Sequence, residues 1–438
     1  MLKKIFIFIF LLFSCSTNNN INNSPLINLQ DIKELSKQRL NGEFKINTND
    51  FNSLYPKVTS DSKGNFVVSW LEETKIKARI FYSDKNKKSL EFLVSDSPDI
   101  NNNTRVSCFF DKDIIFSWNA YDKDKDNYII KLKIFSNEGK EKLEITLNNP
   151  DDISKLKTKL INSNFYTPIQ EHKFFIPNIN IFSKDNLLVI AYNTFSDKGN
   201  SKINIDIIKE NKKNKEIIIS DINNNYLSPK IIIYDNKIYI SYLEYENNKI
   251  ELKDRKTNIY FRIYDIDKDK LLEPIKINNI KYFSEDIFLE KDNNNNFIIV
   301  WATYSKSKYS RFLEDSYSEG IYLQKIDKDG NLINKNVKII NESSFIQSNP
   351  KIKFIDENYF LTWQKEDILK GDKFIYARIL NKDFSGKEIK VSDINYNNDY
   401  DLNIVNKELI LVWDSFLNFD DISQILGKKF KIIKERNK

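Results

Sequence analysis

The chain has 438 residues, 40% apolar and 30% charged, with a formal net charge of +6 and only nine glycines and nine prolines. That balance supports a packed core and excludes a breaker-rich disordered chain. Its lysines are interspersed with acids, which serves solubility, and no basic run forms the clustered face that nucleic acid requires. One histidine (His172) and two cysteines (Cys15 and Cys108) exclude a His/Cys zinc site and a Cys-His nucleophile pair.

The N-terminus reads as an address rather than as fold. Lys3-Lys4 form a positive segment, Ile5 to Phe13 an apolar run too short to span a bilayer, and Ser14-Cys15 a small-residue end. Leu12-Phe13-Ser14-Cys15 resembles the lipobox of bacterial lipoproteins, with Phe13 where a small or β-branched residue is usual. The resemblance implies that residues 1–14 are a signal peptide and that Cys15 carries lipid, including palmitate. It also implies that the protein is anchored to a membrane of the bacterial cell envelope, outside the cytoplasm. Residues 15–41 follow as a polar tether, with Leu29, Ile32, Leu35 and Leu40 spaced for a short helix. Cys108 is then left without a disulfide partner, as a small hydrophobe in an apolar stretch.

From residue 42 one strand recurs. Phe66-Val67-Val68-Ser69-Trp70 reappears ending at Trp118, Trp301, Trp363 and Trp413, and twice ending in tyrosine, at Tyr192 and Tyr242. About twelve residues before each aromatic another strand begins. Four copies open with proline, at Pro56, Pro177, Pro229 and Pro350, which the first residue of a strand tolerates. A third strand alternates apolar and polar, as in Ile76 to Ile80, Ile259 to Ile263 and Ile375 to Ile379. A fourth, rich in Glu and Lys, suits a sheet edge, as in Glu388 to Ser392. After Trp413 there is room for a third strand but no fourth. The missing copy is Glu43-Phe44-Lys45-Ile46-Asn47, at the other end of the chain. Such a permutation is useful only to a ring.

These repeats resemble those of β-propellers, and they predict an all-β, seven-bladed propeller of four-stranded antiparallel blades over residues 42–438. The N-terminal strand is expected to complete the C-terminal blade. An insertion at about 149–175, with Ile153, Leu156 and Leu160 at helical spacing, lies outside the repeat. The resemblance is generic. The Asp-box and Trp-Asp signatures of particular propeller families are missing, so no family's catalytic residues carry over.

Function is expected on the rim that holds the long connections, Leu243 to Asn258, Ala302 to Gly320, Gln364 to Lys373, Asp414 to Asp421 and the Asn149 to Phe175 insertion. A ring of residues opening the innermost strands, Lys57, Arg105, Asn178, Lys230, Asp286, Lys351 and Asp401, could either hold an anionic group or pair within itself. Aromatics and arginines crowd the loops, with Tyr245, Arg255, Tyr304 and Arg311 as candidate ligand contacts beside Tyr309, Phe312, Tyr317, Phe416 and Phe419. The carboxylates Glu72, Glu73, Glu244, Glu246 and Asp414 lie just past the aromatic strand ends, but proximity means little in a chain with 62 acids. Asp122 to Asp126 and Asp265 to Asp269 lack the glycine and glutamate of a calcium loop.

The sequence thus leads to a lipid-anchored, monomeric binding protein that presents a propeller rim to a protein or glycan partner. It is expected to use no cofactor, metal or nucleic acid and no catalytic residue. An envelope-assembly scaffold and a carbohydrate-active hydrolase or lyase are the alternatives.

Overall fold

The computed structural model describes residues 43–430 apart from 97–105, 111, 123–126, 147–177, 186, 196–200, 210–214, 221–223, 247–256, 280–282, 305–317, 342–344, 356, 368–369, 371, 382–383, 393–398 and 417–421. The lipobox, the tether and its expected helix, and the 149–175 insertion lie outside the described residues.

The described residues form seven antiparallel sheets, the blades of a propeller, and contain no helix. From the axis outward, blade 1 is Ser53–Ser60, Phe66–Glu72, Lys75–Phe81 and Leu90–Ser95. Blade 2 is Val106–Phe110, Asp113–Asp122, Asn127–Ser136 and Glu141–Thr146. Blade 3 is Ile179–Lys184, Leu187–Phe195, Ser201–Lys209 and Lys215–Ile219. Blade 4 has Asn224–Tyr234, Lys237–Glu246 and Thr257–Asp265, and its outer edge is split around Pro274 into Lys270–Leu271 and Ile275–Lys276. Blade 5 is Phe283–Lys291, Phe297–Tyr304, Ser318–Ile326 and Val337–Ile340. Blade 6 is Phe345–Ile355, Asn358–Asp367, Lys373–Leu380 and Glu388–Lys390. Blade 7 is Tyr400–Val405, Glu408–Phe416, Ser423–Phe430 and, from the other end of the chain, Glu43–Lys45.

The aromatic of each second strand explains why the ring holds together. All five tryptophans are fully buried, and each packs into the blade before its own. Trp70 joins Val405, Ile410 and Val412 of blade 7, Trp118 joins Val67 and Ala78 of blade 1, and Trp363 joins Val300 and Leu323 of blade 5. Tyr192 and Tyr242 do the same against blades 2 and 3. Seven such clusters, one per interface, make a core of repeated wedges rather than one central mass. Cys108 lies inside the cluster between blades 2 and 3, where burial pushes its thiol up to about 12 and keeps it inert.

Closure follows the expected permutation. Glu43, Phe44 and Lys45 pair with Lys428, Gly427 and Leu426, and the Ile46 amide extends the ladder to the Ile425 carbonyl at 2.8 Å. Asn47, almost wholly buried, then finishes the edge. Its carbonyl oxygen accepts the Ile425 amide at 2.9 Å, while its amide nitrogen donates to Gln424 and Ser53. Asn278 does the same work in blade 4, accepting the Ile259 amide at 2.8 Å and donating to Thr257 and Ser284. In blade 6 the Ser392 hydroxyl accepts the Ile375 amide. The borrowed strand therefore ends as a native fourth strand ends.

One expectation needs correction. Pro56, Pro229 and Pro350 do not open their strands but sit inside them, at a bulge between Leu54 and Lys57, Leu227 and Lys230, and Ser348 and Lys351. A bulge suits proline because the extra residue has no ladder partner to which it could donate. The residue before each proline is left-handed: Tyr55 at φ 55°, Ser228 at 53° and Asn349 at 52°. Blade 5 repeats the device without proline, at Asp286, φ 52°. Left-handed non-glycine residues store roughly 1–3 kcal/mol each, so four at one level imply compensation nearby. The amides turned out of the ladder supply part of it: Tyr55 donates to Asp414 at 2.8 Å and Asn349 to Asp286 at 3.1 Å, each in the preceding blade.

Candidate binding face at the axis and the loop rim

Because every blade alternates direction, the starts of the first strands and the ends of the second strands share one rim. The opposite rim holds the turns between first and second and between third and fourth strands, three of which satisfy themselves. Asp61, Asp292 and Asp327 each accept two backbone amides and an asparagine side chain within their own five-residue turns. Asp292 also takes the Tyr359 hydroxyl at 2.8 Å and the Lys325 ammonium at 3.0 Å, binding blade 5 to blade 6.

The loop rim differs. Its second strands run further than expected, to Glu72, Glu246, Tyr304, Asp367 and Phe416, because pairing with the third strand continues past the aromatic. Several candidate loop residues are therefore strand residues. Tyr304 is buried rather than displayed, and its hydroxyl reaches Asp286 at 3.3 Å. Tyr245 is half-buried and packs on the cluster between blades 4 and 5. The carboxylates there have structural partners: Glu72 takes Lys77 at 2.6 Å, Glu244 takes Asn224 and Asn258, and Asp414 takes the amides of Tyr55 and Asp399. Cys15, Arg105, Arg255 and Arg311 lie outside the described residues, as do Tyr309, Phe312, Tyr317 and Phe419.

At the axis the bulges sort the polar residues into two tiers. The residue paired opposite the one before each aromatic is Lys57, Val106, Asn180, Lys230, Phe288, Lys351 and Asp401 around the ring. Lys57, Lys230, Lys351 and Asp401 share this level as the sequence suggested. Asn178 and Asp286 do not; they stand two positions earlier with Asn349 and Asp399, nearer the loop rim. Blade 5 has no proline to mark its bulge, and the extra residue shifts the alignment.

Two of the three lysines are locked. Lys57 pairs with Asp399 at 2.5 Å, and Lys351 pairs with Asp401 at 2.8 Å while donating to the Tyr400 carbonyl at 2.6 Å. Asp401 also accepts the Val58 amide, and the Tyr400 hydroxyl donates to the Asn349 carbonyl at 2.6 Å, so this belt stitches blades 6, 7 and 1 together. Burial pushes both carboxyls up, but Lys57 and Lys351 outweigh it: Asp399 is held at about 2 and Asp401 below its usual range. The side chain of Lys230, in blade 4, has no hydrogen bond or ion pair among the described residues, although its backbone pairs with Ser241. Its backbone is anchored nonetheless, since the next amide, of Ile231, donates to Asn180 at 3.0 Å. Burial, then Lys351 and Lys57, bring its ammonium down to about 8, against the pull of Asp286 and Asp401. Its side chain keeps intermediate exposure.

This is a seven-bladed β-propeller with a polar, ion-paired axis. No protein-family model matches the chain, and no curated protein is similar enough to count as a relative. Among solved structures it is similar to the polysaccharide lyase Uly1, with a TM-score of 0.53 and 10% identity over 91% of this chain and 95% of that one. It is also similar to a protein of unknown function from Dyadobacter fermentans, with a TM-score of 0.45 and 12% identity over 90% and 100%. A third is the Penicillium chrysogenum α-L-arabinanase complexed with arabinobiose, with a TM-score of 0.44 and 10% identity over 73% and 90%. Identities this low speak for the fold alone and bring across neither residues nor an activity.

Proposed function

We propose that the protein is a lipid-anchored, extracytoplasmic binding protein of a bacterial envelope that holds a protein or glycan partner on its loop rim, the ring serving as rigid scaffold. The observation that carries this reading is the asymmetry of the two rims. On one, the turns at Asp61, Asp292 and Asp327 consume their own polar groups, while the other is the rim on which the strand ends leave the longest connections, 247–256 and 305–317 among them. Lipidation at Cys15 and the envelope location rest on the lipobox resemblance, and the polar tether would give the ring reach from the membrane.

A glycoside hydrolase on this scaffold would need one carboxyl kept protonated beside a second that is ionised. The axial pair favours the binding reading instead, because Asp399 and Asp401 are both held in the charged form by lysines. Glu216, whose carboxyl burial raises, lies on the outermost strand of blade 3, away from the axis.

The test is capture. The domain from residue 24 onward, immobilised, is presented to envelope extracts and to a glycan array. Saturable retention of one species supports the reading, and turnover of a glycan by the same domain would replace it with the enzymatic one. Incorporation of labelled palmitate that disappears in Cys15→Ala tests the anchor; label that persists in that variant removes it.

A further inference from the structure

Among the described residues, the axis carries one cation that the ring leaves without a counter-ion. Lys57 and Lys351 each face a carboxylate of blade 7 at ion-pair distance, and the amides of Val58 and Tyr400 complete those carboxylates. Asp286, the acid nearest Lys230 in the sequence of blades, accepts the Asn349 amide and the Tyr304 hydroxyl and makes no ion pair with Lys230. Lys230 shares the level of Lys57 and Lys351 but has no such partner among the described residues. A partly buried ammonium without a counter-ion is unfavourable, and proteins resolve it by pairing or by deprotonation. Its intermediate exposure leaves it open to a group arriving from solution along the axis.

We propose that Lys230 is an anion-binding site at the propeller axis that takes a single carboxylate group. The singly charged class follows from what surrounds it. Lys57 and Lys351 add positive potential at Lys230, but Asp286 and Asp401 act on it with the opposite sign, so a second negative charge would meet repulsion with no free cation among the described residues to offset it. A carboxylate also accepts hydrogen bonds from an ammonium in any of several orientations, which suits a flexible lysine better than a planar clamp. The site is independent of the loop-rim reading. It binds through the scaffold's own residues and would survive removal of every loop.

Binding stabilises the charged form of Lys230, so carboxylate affinity depends on its protonation. The other groups facing it, Lys57, Lys351, Asp286, Asp399 and Asp401, are paired or hydrogen-bonded, and the acids do not change charge in the alkaline range. With Lys230 near 8, about nine-tenths of it is protonated at pH 7 and about one-tenth at pH 9. Calorimetric titration of the protein with sodium acetate, at ionic strength fixed with chloride, should give saturable binding roughly tenfold weaker at pH 9 than at pH 7. It should also show proton uptake at pH 8, seen as a dependence of the heat on the buffer's ionisation enthalpy. Lys230→Met should abolish both while keeping the fold, since it removes a charge that has no partner, and Lys230→Arg should keep binding but lose the pH dependence. Titration with an N-acetyl dipeptide acid separates the sources: tighter binding than acetate assigns a carboxylate carried on a larger ligand, and exclusion assigns a free small acid. Acetate binding unchanged in Lys230→Met, binding flat between pH 7 and 9, or sulfate bound as tightly as acetate would each overturn the proposal.

Discussion

Removing the side chain of Asn47 tests the closure of the ring at a single residue. Asn47→Ala leaves the three paired residues Glu43–Lys45 untouched but strips the Ile425 amide of its acceptor and Gln424 and Ser53 of their donor. An orphaned buried amide costs about 1–3 kcal/mol, and the lost side-chain bonds add about 1 more, so the variant should be destabilised by about 3 kcal/mol. With an unfolding entropy of about 2.1 cal/mol/K per residue, a ring of this length has about 0.8 kcal/mol/K, and Tm should fall by about 4 °C. The internal control is Asn278→Ala, which loses the same set of bonds in a blade whose four strands are consecutive. Differential scanning calorimetry of the two should give similar losses. A second readout separates them: only Asn47→Ala should expose the N-terminal segment to faster proteolysis. An Asn47→Ala melting temperature within 1 °C of the parent, beside a clear loss for Asn278→Ala, would refute the claim that the borrowed strand is held as a native one.

Other outcomes follow from the same contacts. The indole N–H groups of all five tryptophans are buried without a hydrogen-bond partner, so Trp363→Phe should cost about 1 kcal/mol in denaturant unfolding against about 3–5 for Trp363→Ala; equal losses would show that the indole nitrogen matters. Asp399 is held at about 2, below its unfolded value near 3.9, so its stabilisation is complete above about pH 4 and is lost as pH falls through 2. About 2 kcal/mol of acid sensitivity in that window should vanish in Asp399→Asn, and an unchanged acid profile would contradict the axial belt. Lys230 is displaced downward too, but there the folded state disfavours the charged form. Its folded value near 8 lies below the unfolded 10.5, so the unfolded chain binds more protons between them and stability rises with pH over that range. Lys230→Met should flatten that rise in unfolding measured from pH 7.5 to 10.

The fold was legible because its core is periodic. A strand that repeats seven times with one aromatic at its end can be counted, and the count exposed the missing fourth strand and located it at Glu43. The axis was less legible. Prolines suggested strand starts, whereas they occupy bulges, and a bulge adds a residue that no apolar alternation reveals. Blade 5, whose bulge residue is Asp286 and lacks proline, was therefore aligned two positions out, and Asp399 was missed beside Asp401. The left-handed Tyr55, Ser228 and Asn349 carry no glycine to announce them. Rim residues were misjudged for another reason. The second strands stay paired beyond their tryptophans, which draws Tyr304 and Glu244 into the sheet, and nothing in the local pattern marks where that pairing stops.

The central claim is that one rim binds and the other does not. Two sets of variants of the residue-24 domain test it, one with residues 247–256 and 305–317 replaced by short turns, the other with Asp61→Asn and Asp327→Asn on the turn rim. Retention of the captured envelope partner, measured for both sets at matched folded fraction, is predicted to be lost in the first and kept in the second. Retention kept by the shortened loops, or lost equally in both sets, would contradict it.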